Sequence, residues 1–125
     1  MSSTEIRKLG QVAVRVHDLP RAVAFYRDTL CLPFLFEAGS LAFFRCGEVR
    51  LMLSRPERPE FDHPGSTLYF QVDDIDAAHR ALRERGVEFV DAPHLIARVG
   101  STENWMTFFR DPEGNLLALM EEREV

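Results

Sequence analysis

The sequence predicts an α+β fold made of two tandem modules, each with the element order βαβββ. Three observations lead to this prediction. Strict apolar–polar alternation at residues 11–17 is followed by an aspartate and an apolar stripe at helical spacing. The same succession recurs from residue 67, and the two copies align at an offset of 56 residues.

The first module opens with a strand at residues 11–17, in which three valines share one face. Asp18 then has the character of a helix N-cap, and Pro20 falls in the first turn, where a missing N–H costs little. The apolar positions of this helix are Leu19, Ala22, Val23, Tyr26 and Leu30. Pro33 ends the helical region, and short strands are predicted at 34–37, 41–45 and 49–54.

The second module follows a proline-rich segment, residues 55–65, which is predicted to be a linker or a mobile loop. A strand at 67–73 precedes the N-cap Asp74, a second helix, and Gly86 as the residue after the helix end. Further strands are predicted at 87–90, 94–98, 105–110 and 115–120, with a tight turn at 111–115 joining the last two.

The repeat sets the domain organisation. Val12, Val14 and Val16 fall on Leu68, Phe70 and Val72, while Asp18 falls on Asp74. One such module leaves an apolar sheet face and open edges, so two modules must combine to close a core. The chain is therefore predicted to be a single domain over residues 1–125, with modules at approximately 9–54 and 66–121.

Composition narrows the function classes. A chain of 125 residues with 46% hydrophobic residues suits one globular domain. Its net charge of −5 argues against a non-specific nucleic-acid binder, which needs a basic surface. No apolar run is long enough to span a membrane, the first residues lack the apolar stretch of a signal peptide, and the two cysteines have no metal-binding spacing. We expect a cytoplasmic protein with neither nucleic acid nor membrane as its partner.

Two segments resemble a known family. LGQVAVRVHDLPRAVAFYRDTL, at residues 9–30, and FFRDPEGNLLALM, at 108–120, are similar to the opening and closing signatures of the vicinal oxygen chelate superfamily. That superfamily includes glyoxalase I, methylmalonyl-CoA epimerase, extradiol dioxygenases, fosfomycin-resistance enzymes and bleomycin-binding proteins. The resemblance implies curved mixed sheets that enclose a ligand cavity, within a homodimer, and it is specific for the fold rather than for a reaction.

The resemblance also implies four inward-facing strand positions that hold one divalent metal through His, Gln or Glu. In this sequence the four positions are taken by Gln11, Met52, Thr67 and Ala118. Of these, only Gln11 is a plausible ligand, because divalent ions of this kind need imidazole or carboxylate donors. We therefore expect no metal and no other cofactor, and a divalent metal is expected only if this assignment of ligands is wrong.

Other polar side chains are candidates for ligand binding. Arg15 shares a strand face with Gln11, and could fix an anion or lie exposed at the end of the sheet. Tyr69 and Gln71 share a face with Thr67, where they could line a pocket with Met52 or fill the sheet interior.

The segment 94–105 brings further candidates, and it has two interpretations. Arg98 and Trp105 could bind an anionic or planar ligand, while His94 and Glu103 could form a catalytic acid–base pair. The alternative is an edge strand with an ion pair and an aromatic residue at a dimer contact. Cys31, where the family commonly has Gly, is predicted to be a small buried apolar residue.

Three functions follow. The leading one is a small-molecule-binding protein of the glyoxalase/bleomycin-resistance type, without a catalytic metal, whose ligand is apolar to aromatic and carries an anionic or polar group. The second is a metal-dependent lyase, isomerase or dioxygenase of the same superfamily, with His94 or His63 joining Gln11 and Glu103 as ligands. The third is a metal-free enzyme that uses His94 and Glu103. Whether the protein is an enzyme is left open by the residues alone.

Overall fold

The computed structural model describes residues 4–125. The chain forms two compact units. The first unit ends at Asp62, and the second begins at His63. In each unit an α-helix lies, along the chain, between the first and second strands of a four-stranded mixed sheet. The prediction of an α+β fold with two tandem βαβββ modules is confirmed.

The first unit consists of β1 (Gln11–Arg15), α1 (Leu19–Ala24), β2 (Phe34–Ala38), β3 (Leu41–Cys46) and β4 (Val49–Ser54). A π-helical turn, Phe25–Thr29, continues α1, and a 3-10 turn, Pro59–Phe61, lies in the proline-rich segment. The sheet order is β1-β4-β3-β2, with β1 parallel to β4 and the other pairs antiparallel.

The helix α1 forms where the sequence predicts it. The Asp18 carboxylate accepts a hydrogen bond from the Arg21 backbone N–H at 3.1 Å, which satisfies one of the donors that the first turn leaves open. Tyr26 is fully buried, and its ring lies 6.1 Å from that of Phe44 on the sheet. The helix therefore packs on the face of the sheet that carries Leu51 and Leu53, both buried.

The prediction that Cys31 is buried is wrong. Cys31 is exposed and has a φ of 61°, the one positive value at a non-glycine residue within residues 4–125. Cys31 directly follows the end of the π-helical turn, where the Leu30 N–H donates to the Phe25 carbonyl at 2.9 Å. A residue that follows a helix end commonly adopts this left-handed conformation at the surface, so its position in the turn overrides the preference of a thiol for burial.

The second unit consists of β5 (Leu68–Gln71), α2 (Ile75–Glu84), β6 (His94–Val99), β7 (Thr102–Arg110) and β8 (Leu116–Glu124). Its sheet order, β5-β8-β7-β6, repeats that of the first unit, with β5 parallel to β8. Gly86 has a φ of 93° directly after the helix end, as the sequence predicts.

Two carboxylates hold the beginning of α2. Asp74 accepts from the Ala77 N–H at 3.1 Å, and Glu121 on β8 accepts from the Ile75 N–H at 2.8 Å. Glu121 is only 7% exposed, and Arg123 donates to it at 2.7 Å. The hydrogen bond from Arg123, reinforced by that from Ile75, holds the pKa of Glu121 below its ordinary value.

The predicted strand at 87–90 is wrong. This segment makes a single bridge, between Phe89 and Phe109, and a backbone bond from Val90 to Phe108 at 2.8 Å. The Asp91 carboxylate then accepts a hydrogen bond from the Phe108 N–H at 2.9 Å, and a continuing strand would have used that donor.

No helix within residues 4–125 is long and apolar enough to cross a membrane.

Candidate functional site

Each sheet has one side that faces its helix and a second side that carries polar and aromatic residues. We call the side of the first sheet that faces away from α1 the first open face. The strand pairing shows which residues lie on it. Its two central rows cross the sheet. One row is Gln11, Arg50 and Arg45, and the next is Ala13, Met52, Phe43 and Phe36. Arg15 lies on the same face, one row further along β1.

Both polar atoms of the Gln11 side-chain amide contact neighbouring side chains. Its oxygen accepts a hydrogen bond from Arg50 Nε at 2.7 Å, and its nitrogen lies 3.6 Å from the sulfur of Met52. The amide oxygen is the atom with which a glutamine would bind a metal. Here that oxygen is directed at a cationic guanidinium, which itself repels a metal ion.

Aromatic rings continue this arrangement across the first open face. The Arg50 guanidinium lies 5.0 Å from the centre of the Phe43 ring. The Phe43 ring stacks on that of Phe36 with 4.5 Å between centroids, and Phe36 is 45% exposed. The face therefore offers a guanidinium, a polarisable sulfur at Met52 and an accessible aromatic ring side by side.

On the second open face, the side of the second sheet away from α2, the position of Ala118 is covered by rings. Ala118 pairs with Tyr69 on one side and with Phe108 on the other, so the three side chains project together. The Tyr69 and Phe108 rings contact edge to face at 5.9 Å, and Ala118 has no accessible surface. Strands two apart are separated by about 9.5 Å, so the rings lean toward each other above the alanine methyl.

The other candidates of this unit lie around that group. Gln71 pairs with Met120 on the same face as Tyr69, and both Gln71 and Tyr69 are exposed. Thr67 is half-buried and directly precedes β5. Around Ala118 the second open face is thus apolar, with the Gln71 amide and the Thr67 hydroxyl beside it.

The segment 94–105 divides between the two sides of its sheet. Arg98 pairs with Glu103 across β6 and β7, Trp105 Nε1 donates to Glu103 at 3.1 Å, and Arg123 lies 4.6 Å above the Trp105 ring. These side chains are on the side of α2, since Arg123 also reaches Asp76 of that helix at 3.6 Å.

His94 has different neighbours from the rest of that segment. It pairs with Met106 on the opposite side of the sheet, and its Nδ1 lies 2.9 Å from the Ala92 carbonyl and 3.5 Å from Asp91. The structure therefore brings Arg98, Glu103 and Trp105 together, but it does not bring His94 to Glu103.

Sequence reasoning missed one cluster of polar groups. Asp62 Oδ1 lies 2.8 Å from His17 Nε2 and 3.3 Å from Arg15 Nη1. His17 and Asp62 line a shallow pocket of about 330 Å³ with Arg55, Arg58 and neighbouring loop residues. No sequence signal could have joined these groups, because 45 residues separate His17 from Asp62 and the loop has no periodic pattern.

A second depression, of about 550 Å³, lies beside α2 and is lined in part by His79, Phe89 and Asp91. The His79 ring lies 4.3 Å from the Phe89 ring. Burial against these neighbours, helped by the charge of Arg83, lowers the pKa of His79 from its ordinary value. The lowered pKa and the ring contact with Phe89 are those expected of a packing residue.

Comparison with known proteins assigns the family. Residues 8–119 match the family described as the Glyoxalase/Bleomycin resistance protein/Dioxygenase superfamily. The chain belongs to this superfamily. That match confirms the resemblance seen in the opening and closing segments of the sequence. A protein of Bacillus subtilis (strain 168), YraH, is 30% identical over 129 residues, covering 90% of this chain and 96% of YraH.

The chain is also similar to proteins at lower sequence identity. Glutathione transferase FosA of Serratia marcescens is 25% identical over 120 residues, covering 91% of this chain and 80% of FosA. The structure is similar to that of a superfamily member from Sphaerobacter thermophilus, with a TM-score of 0.77, 25% identity and coverage of 93% and 98% of the two chains. It is also similar to a lactoylglutathione lyase from Agrobacterium tumefaciens, with a TM-score of 0.75, 26% identity and coverage of 94% and 95%.

The residues at the four positions where the resemblance places a metal do not fit a divalent ion. They offer an amide whose oxygen faces Arg50, a thioether at Met52, a hydroxyl at Thr67 and a methyl group at Ala118. None of these is an imidazole or carboxylate, the donors that such ions require in proteins. Elsewhere in residues 4–125, no three His, Cys, Asp or Glu side chains come close enough together to hold a metal ion.

Proposed function

We propose that this superfamily member is a small-molecule-binding protein of the glyoxalase/bleomycin-resistance type that works without a catalytic metal. Its ligand is apolar to aromatic and carries an anionic or polar group. The proposal is carried by the side chains that stand at the positions where the resemblance implies metal ligands. The main one is Ala118, which lies beneath the Tyr69 and Phe108 rings. A metal site needs a donor at this position, and the chain supplies a packed apolar contact.

The first open face supports the nature of the ligand. Phe36 is 45% exposed, and a guanidinium lies over the adjacent Phe43 ring. Ligand pockets are mainly apolar and aromatic, with a few polar groups that fix orientation. Tyr69, which is 47% exposed, gives the second open face a similar combination of a ring and a hydroxyl.

The resemblance to the family also leads us to propose that the protein acts as a homodimer. Light scattering on the peak that elutes from a size-exclusion column would test this proposal.

Metal analysis tests the proposal directly. The protein is purified without chelator and without a metal-affinity step, and its metal content is measured by mass spectrometry. We expect far less than one Ni, Zn, Fe or Mn ion per chain. One ion per chain, lost in the Gln11→Ala variant, would overturn the proposal, since it would show that Gln11 is a metal ligand.

A binding experiment tests the second half of the proposal. Protein treated with a chelator is screened by thermal unfolding against aromatic acids, aromatic amides and neutral aromatic compounds. A ligand at a hundred times its Kd stabilises the folded state by about 2.7 kcal/mol, a clear shift of Tm for a chain of this size. Stabilisation that appears only after metal is added back would refute metal-independent binding.

A further inference from the structure

We infer that Arg45 and Arg50 form the anion-recognition site of the first open face, and that the ligand it takes is a planar aromatic carboxylate. This inference rests on the proposed function, which it makes specific. Arg50 occupies the row of Gln11, the first superfamily metal position. A fixed guanidinium therefore provides positive charge next to the place where metal-dependent relatives need a cation.

The two guanidiniums are brought together by strand register. Arg45 on β3 and Arg50 on β4 are directly opposite partners in the antiparallel ladder. Directly opposite side chains have Cβ atoms about 5 Å apart and project from the same face. Both residues are exposed, so two cations lie side by side at the solvent.

In the described part of the chain, the two guanidiniums have no carboxylate partner. Within residues 4–125, neither Arg45 nor Arg50 forms an ion pair with a carboxylate, whereas Arg15 on the same face is paired with Asp62 at 3.3 Å. Arg50 instead uses Nε to donate to the neutral amide of Gln11. Like charges directly opposite each other destabilise a sheet, so an anion that bridges them would relieve a repulsion that the fold otherwise carries.

The neighbouring row of the first open face offers apolar surface for the aromatic ring of the ligand. The central carbon of the Arg50 guanidinium lies 5.0 Å from the centre of the Phe43 ring, within the range of a cation–π contact. Phe36, stacked on Phe43, keeps 45% of its surface exposed, and the Met52 sulfur lies in the same row. A flat ring placed against Phe36 and Met52 would present a carboxylate on its edge to Arg45 and Arg50, with two planar forks available to its oxygens.

The test measures binding of 2-naphthoate, with 2-naphthamide as the neutral compound of the same shape, by isothermal titration calorimetry on chelator-treated protein. We expect Arg45→Gln and Arg50→Gln each to weaken naphthoate by about tenfold or more, as charge-assisted hydrogen bonds do, and to leave naphthamide unchanged. Raising the salt concentration should weaken naphthoate alone. Arg80→Gln, at an exposed position on α2, is the matched control and should bind both compounds as the parent does.

The Tm of the variants separates a role in binding from a role in holding the fold together. Because removal of one guanidinium removes a like-charge contact, Arg45→Gln should leave Tm unchanged or raise it while weakening naphthoate. Equal loss of naphthoate and naphthamide, unchanged naphthoate affinity in both variants, or no naphthoate binding by the parent protein would each overturn the inference. In the last case, stabilisation of the metal-free protein by a neutral aromatic compound would show that the proposed function survives although this site does not.

Discussion

Replacement of Ala118 by glutamate, one of the ligand types that the resemblance implies for this position, tests whether the Tyr69–Phe108 contact has closed it. Ala118 has no accessible surface, and the two rings meet at 5.9 Å above it. The larger side chain must push the rings apart, which costs about 1–3 kcal/mol. A carboxyl group without a hydrogen-bond partner in this apolar position adds about 1–3 kcal/mol.

The two costs together predict a loss of about 4 kcal/mol for Ala118→Glu. An unfolding entropy of about 2.1 cal/mol/K per residue, applied to 125 residues, converts this loss into a fall in Tm of about 15 °C. Urea unfolding followed by circular dichroism measures the free energy directly. Met52→Glu is the matched control, and it should cost less because Met52 is only half-buried.

A double variant separates crowding by the rings from a general intolerance of glutamate. If the rings close the site, Tyr69→Ala should recover part of the loss in the Ala118→Glu background, with a coupling of at least about 1 kcal/mol. An Ala118→Glu protein within about 1 kcal/mol of the parent would refute the reasoning. Costs that simply add in the double variant would also refute it, because the two residues would then not compete for the same space.

The remaining predictions concern stability. Glu121→Gln should lower the free energy of unfolding by about 1–2 kcal/mol at pH 7, because it removes the charge that Arg123 contacts at 2.7 Å. Since the pKa of Glu121 is lowered in the folded state, this contribution is present above the ordinary value of 4.5 and is lost as pH falls through the folded value. The difference between parent and variant should therefore shrink in acid, and a pH-independent difference would contradict this origin. Cys31→Gly should raise stability by about 0.5 kcal/mol, because glycine adopts a φ of 61° without strain, while Cys31→Val should lower it. Asp18→Ala and Asp74→Ala should each cost about 1 kcal/mol, and asparagine at either position should preserve most of the cap, as thermal unfolding would show.

Much of the fold could be predicted because its signals are local. Alternation of apolar residues at Val12 and Val14, the capping carboxylates of Asp18 and Asp74, and the glycine after α2 depend on residues within one or two turns of each other. The strand at 87–90 was wrongly predicted for a related reason. Its pattern is that of a strand, but whether it pairs is decided by the Asp91 side chain and the distant Phe108 N–H.

The candidate site could be predicted only in part. The absence of imidazole and carboxylate at Gln11, Met52, Thr67 and Ala118 can be read from the chain once the family is recognised. The side of the sheet on which Trp105 and Glu103 lie could not, because it depends on the register with Arg98 and on contact with Arg123. A one-residue change in that register would have moved both to the other side.

The sequence by itself determined the two modules, their order of elements and the side chains present at the positions where the resemblance places a metal. Only the tertiary structure decided what those residues contact. Arg50 meets the Gln11 oxygen, the Tyr69 and Phe108 rings close over Ala118, and Asp62 joins His17 from 45 residues away. The physical reason is that helix and strand periodicity is set by neighbours in the chain, whereas lateral pairing between strands and loops is set by packing among residues that are far apart in sequence.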